Sequence, residues 1–123
     1  MKAFTDIQQS KKLAEILPIE STDMFYYKDA VTKEDNPRVM DYSQVPKNKS
    51  MYYFPCWSLA ALLDVLNKTA YFIDEDASVN LSSYKAIEWY LGINNSDLEL
   101  ITKVNPIDAC VEMIIKLHEL KML

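Results

Sequence analysis

Cys56 and His118 are the two residues of this chain whose types could together do nucleophilic chemistry. A thiolate attacks a carbonyl carbon readily, and a nearby imidazole can take the proton that the thiol gives up. Cys56 follows Pro55 and opens an apolar run, so the spacing predicts a cysteine in the first turn of a helix. There the positive end of the helix dipole lowers a thiol's pKa. His118 is the chain's one histidine, and helical spacing puts it on the apolar face of a predicted last helix. Each residue has a plainer reading. A cysteine at a helix start is commonly a small buried thiol, and a lone histidine among apolar neighbours is a core residue with one satisfied hydrogen bond. The two readings part on whether the sulfur and the imidazole meet.

Other chemistries find less to work with. One histidine and no Cys-x-x-Cys pair leave no metal-ligand spacing, so no metal is expected. Asp74, Glu75 and Asp76 could surround a hard cation, which takes several oxygens. They lack the alternating acids, glycine and distant glutamate of a calcium loop, and a solvated turn accounts for them better. The single glycine leaves no phosphate-cradling loop, and no cofactor is expected. Trp57, Trp89 and eight tyrosines could stack on bases or sugars. Such platforms come with Lys and Arg along the backbone path, and the one arginine here is Arg38. A net charge of -5 and a pI near 4.8 disfavour direct binding to nucleic acid. Acidity of this kind serves solubility or attraction to a basic partner, and exposed tyrosines suit a protein interface.

Cys56-Trp57-Ser58-Leu59-Ala60 resembles the nucleophile helix of papain-like cysteine peptidases, in which the cysteine opens a buried helix and an aromatic residue follows it. The resemblance covers about five residues. It implies a cysteine-dependent hydrolase or transferase with Cys56 as nucleophile and His118 as base. That family's histidine lies on a downstream strand, whereas His118 falls inside a predicted helix. Phe54 and Pro55 stand where an oxyanion-hole arrangement would precede the cysteine.

The elements that would position these residues follow from pattern. Thr5 with Gln8 makes a capping-box spacing before a helix at 6–17, which Pro18 ends. Residues 23–27 look like a short strand. Residues 28–50 are charged, carry Pro37 and Pro46, and read as a long polar loop within which 38–40 could pair briefly with a strand. Tyr52, Tyr53 and Phe54 read as extended, and Pro55 as the first turn of a central helix at 56–66. Leu59, Leu62, Leu63 and Leu66 recur at helical spacing, and Asn67 is the expected stop. Residues 70–74 read as a strand. In 84–92, Ile87, Trp89 and Leu91 alternate as in a strand, while Ile87, Tyr90 and Leu91 also fit a helical face; read as a strand, the stretch joins Leu98–Leu100 in a hairpin through the turn chemistry of Asn94–Asp97. Asn105 as N-cap and Pro106 at the first helical position open a helix at 106–121. No glycine ends that helix, so fraying near Met122 is expected.

Three stretches, Ser10–Pro18 (SKKLAEILP), Pro55–Leu63 (PCWSLAALL) and Asn105–Leu120 (NPIDACVEMIIKLHEL), are together similar to a group of small uncharacterised proteins of gut bacteria and their phages and mobile elements. They cover roughly a third of the chain. The resemblance brings no activity and no functional residue; it implies an accessory role in a phage or mobile element.

The sequence thus predicts a single α+β domain over 1–123, with three helices packed on a small antiparallel sheet. A chain of 123 residues is long enough to bury a sizeable core without disulfides. The first residues hold no apolar signal core, and no run approaches the about 20 residues of a membrane span, so a cytoplasmic protein with two thiols is expected. The leading functional expectation is a non-enzymatic protein that binds another protein, with neither membrane nor nucleic acid as partner. The hydrolase using Cys56 and His118 is the alternative, and an acidic mimic of nucleic acid is the second.

Overall fold

The structure is a computed structural model and describes residues 2–27, 37–48, 53–84, 88–94, 96 and 98–123. It has an α+β fold of three helices and two three-stranded antiparallel sheets. In chain order these are α1 (Ile7–Ala14), β1 (Met24–Tyr27), β2 (Arg38–Val39), β3 (Tyr53–Cys56), α2 (Leu59–Ile73), β4 (Val79–Tyr84), β5 (Glu88–Ile93), β6 (Ile101–Lys103) and α3 (Pro106–Glu119), with short 3-10 turns at Ile19–Ser21 and Tyr42–Gln44. The first sheet runs β2-β1-β3 and the second β4-β5-β6. The expected single sheet is therefore two.

The second sheet and the helices carry the core. Leu91 and Ile93 alternate inward along β5, and α3 packs on β5 and β6 and on α2. From α3 come Ile107, Cys110, Val111, Ile114 and Leu117, at the i, i+3, i+4, i+7 spacing of one helical face. Asn105 caps this helix by accepting from the Asp108 amide at 2.8 Å. At the far end, Lys121 adopts φ 59°. The Lys121 amide donates to the His118 carbonyl and the Met122 amide to the Leu117 carbonyl. This is a Schellman closure, and it replaces the expected fraying. A lysine stands at the left-handed position that glycine usually takes.

The central helix begins and ends later than its spacing predicts. Pro55 lies in β3, not in a helix turn. Proline has no N–H to give a ladder, and β3 is an edge strand of its sheet, where that loss is tolerated. Ser58 caps the helix instead, its hydroxyl accepting from the Ala61 amide at 3.2 Å. The helix then runs past Asn67, which is exposed, because the buried stripe continues through Leu62, Leu66, Thr69 and Ala70. Residues 70–73 are thus helical and the expected strand at 70–74 is not formed.

Other expectations meet mixed outcomes. Strand 23–27 forms as β1, and residues 38–39 pair with it as β2. The rest of the 28–50 loop is partly structured at Tyr42–Gln44, while residues 28–36 and 49–52 lie outside the described residues, as do 85–87 of the 84–92 strand. β5 and β6 form the hairpin, with its second strand at Ile101–Lys103 and not Leu98–Leu100. β4 was not expected: its alternation of Val79 and Leu81 with Asn80 and Ser82 is hidden by residue types that favour turns.

Candidate functional site

Cys56 sits at the end of β3, three residues before α2 begins, and is fully buried. It is therefore off the helix N-terminus that was to activate it. Thr5 reaches it from the segment before α1. The Cys56 thiol donates to the Thr5 carbonyl at 3.4 Å, and the Thr5 hydroxyl lies 3.5 Å from the sulfur. The Tyr26 hydroxyl donates to the same Thr5 carbonyl at 2.6 Å. The Thr5 hydroxyl shares a hydrogen bond with Ser10 at 2.8 Å and accepts from the Trp57 amide at 3.1 Å. On the other side the Thr22 hydroxyl accepts from the Cys56 amide at 3.2 Å and bonds the Cys56 carbonyl.

Burial pushes the Cys56 thiol up from its ordinary value, more than hydrogen bonds from Thr5, Tyr26 and Ser10 pull it down. Tyr26 is likewise raised, first by burial and then by its closeness to Cys56. The arrangement holds a neutral thiol in a closed hydrogen-bonded knot that joins the N-terminal segment, β1 and β3. Cys110 is a second free buried thiol, pushed up to about 12 by burial alone.

His118 is exposed, contrary to its expected place among the core residues of the last helix. It follows Leu117, the last buried residue of α3, by one position and so turns about 100° away from the buried stripe. Its Nδ1 lies 3.2 Å from the Leu123 backbone oxygen. Cys56 and His118 thus have separate hydrogen-bonding partners, one in the Thr5 knot and the other at the end of α3.

A second polar cluster binds the N-terminal segment to α3. The Lys2 ammonium pairs with Asp6 at 3.0 Å and Asp108 at 2.9 Å. Gln9 donates to Asp108 at 2.7 Å, and the side chain of Asn105 donates to its other oxygen at 2.8 Å. Asp6 and Gln9 form the capping box of α1, one residue beyond the Thr5 and Gln8 that spacing suggested. Thr5 is instead consumed by the buried knot.

Among the described residues no group of three or more His, Cys, Asp or Glu side chains is placed to hold a metal. The Asp74 carboxylate accepts from the Asp76 amide at 2.9 Å, which makes the acidic run a turn that bonds its own backbone.

Among the described residues, an exposed aromatic pair is a feature that spacing did not reveal. Tyr71 and Phe72, in the last turn of α2, are 61% and 86% exposed. Their rings meet edge to face with centroids 6.3 Å apart. The buried stripe of Leu62, Leu66 and Ala70 turns both rings away from the core. Their aromatic side chains suggested a strand, and the helical phase of Ala70 and Ile73 was the signal that could have corrected it.

A scan against family models, a search of curated proteins and a search of solved structures found no match to this chain.

Proposed function

We propose that this chain is a non-enzymatic interaction protein whose contact surface centres on Tyr71 and Phe72. The observation that carries this reading is the exposure of two touching aromatic rings at the end of a well-packed helix. Burying a phenylalanine is worth about 1.5–3 kcal/mol, and a fold that leaves this much unused supplies it to whatever covers the rings. Aromatic anchors are enriched in the central, energetically dominant part of protein interfaces. No helix among the described residues is long and apolar enough to cross a membrane. What weighs against the cysteine-hydrolase alternative is the closed burial of Cys56 and the separate hydrogen bonding of His118.

The test is site-specific photo-crosslinking in host cells, with benzoylphenylalanine at position 72 and, as control, at exposed Glu112 on α3. The expected result is a discrete protein adduct from position 72 that the control lacks. Equal, diffuse labelling from both positions overturns the reading.

A further inference from the structure

We infer that residues 2–6 are a latched strap, which opens as a unit while the rest of the fold stays closed and so uncovers Cys56. Two sets of contacts hold the segment, and they differ in kind. At one end the Lys2 ammonium pairs with Asp108 of α3 and with Asp6. At the other, Phe4 and Thr5 run beside the chain that leaves β3. The Thr5 amide donates to the Trp57 carbonyl at 3.0 Å, and Phe4 and Ser58 form an antiparallel bridge. The Phe4 ring meets Tyr26 edge to face, with centroids 6.4 Å apart. Thr5 lies on the buried thiol, its hydroxyl 3.5 Å and its carbonyl 3.4 Å from the Cys56 sulfur.

The hydrophobic core begins only at Leu13, and no side chain of residues 2–6 belongs to it. Ala3 and Asp6 are exposed, and Lys2 and Phe4 are half-buried. A stretch with so few buried apolar contacts opens at a lower free-energy cost than the whole molecule. Cys110 is as buried as Cys56, but it sits in α3 between Ile107, Val111 and Ile114 of the core. Reaching it requires α3 to leave its place. The two thiols therefore differ in the motion that exposes them. The latch also titrates. The charged groups facing Asp108 are Lys2 and Asp6, and its other partners are the neutral Gln9 and Asn105. Burial acts to raise the Asp108 and Asp6 carboxyls, but hydrogen bonds and Lys2 hold both below 3.8 overall. The latch is complete above that value and is lost as pH falls through the folded values.

The experiment labels the full chain with dithiodipyridine, a disulfide that thiols attack even in acid. Peptide mass reads each cysteine separately. Each native rate is compared with the rate of the same cysteine in the urea-unfolded chain at the same pH, and the ratio is its protection. The variants are Lys2→Met, which removes the latch, and Phe4→Ala, which loosens the strap without changing its charge. At about pH 6, Cys56 protection should fall by about threefold to fivefold in Lys2→Met, the size that partly exposed ion pairs allow, and should also fall in Phe4→Ala. Cys110 protection should stay at its wild-type value in both. From about pH 6 to pH 3, wild-type Cys56 protection should fall towards that of Lys2→Met. Phe4→Ala should keep this pH dependence and Lys2→Met should lose most of it. Protection that falls together at both cysteines, with acid or in either variant, means that opening is global and overturns the strap. Cys56 protection that ignores both substitutions overturns it as well. A full pH response retained in Lys2→Met overturns the latch.

Discussion

Replacing Thr5 by valine removes one hydroxyl from the buried knot and keeps its shape. The hydroxyl accepts from the Trp57 amide at 3.1 Å and shares a hydrogen bond with Ser10 at 2.8 Å, and both Thr5 and Trp57 are fully buried. Valine leaves the Trp57 amide with no acceptor in a place water does not reach, which costs about 1–3 kcal/mol. Ser10 lies in α1 and can turn its hydroxyl back to a helix carbonyl, so its share is small. A loss of about 2 kcal/mol follows, or a fall in Tm of about 8 °C at the entropy per residue usual for a chain of this size. Thr5→Ser keeps the hydroxyl and loses a buried methyl, for about 1 kcal/mol. The order is the diagnostic. If the hydroxyl only filled space, valine would be neutral and serine the worse of the two. Urea unfolding of both variants decides, with hydrogen exchange at the Trp57 amide as the local readout. A valine variant as stable as wild type would refute the reasoning.

Neither cysteine should react with iodoacetamide in the native chain at pH 7, and both should react once it is unfolded; intact mass reads the result. Rapid labelling of native Cys56 would reopen the hydrolase alternative. The Lys2 cluster makes stability depend on pH in a direction that can be worked out. Burial raises Asp108 and Asp6 but hydrogen bonds and Lys2 hold both below 3.8 overall, so their contribution is present above that value and lost as pH falls through their folded values. Burial pulls Lys2 down, yet its bonds to Asp108 and Asp6 raise it above 10.5, so its contribution is present below that value and lost as pH rises through the folded one. Lys2→Met should cost less than about 1 kcal/mol at pH 7, because the pairs are partly exposed. The gap from wild type should close on acidification below 3.8. A gap unchanged at pH 2.5 in thermal melts would refute the assignment.

The start and the buried stripe of the last helix were readable from residue types, because Asn105, Pro106 and the i, i+4 spacing all agree; its closure at Lys121 and the exposure of His118 were not. The central helix was not, because two local rules pointed to different starts. Pro55 fits a first helical turn and also an edge strand, and only the pairing of Phe25 with Pro55 across the sheet decides for the strand. Tyr71 and Phe72 suit a strand by residue type, yet Ala70 extends the stripe of α2 by one more turn. Ser10, Thr5 and Thr22 carry the buried knot, and their partners at 56 and 57 are too distant in sequence for any local pattern to mark. His118 looked like core because helical spacing counts faces coarsely; one position past Leu117 was enough to expose it.

The Lys2 cluster and the Thr5 knot also set an order in time. Thr5 waits for Cys56 and Trp57, and Lys2 and Gln9 wait for Asp108, 106 and 99 residues further along. At about 5–20 residues per second of synthesis, the N-terminal segment spends on the order of five to twenty seconds without its far partner. α3, which supplies the largest share of the core, is also made last among these elements. The β1–β3 sheet can close on Thr5 early, but the second sheet has only α2 to pack against, and lacks its main cover until residues 106–119 have emerged. A nascent chain stalled before residue 106 would therefore present Leu62, Leu66, Leu91 and Ile93 to whatever chaperone is at hand.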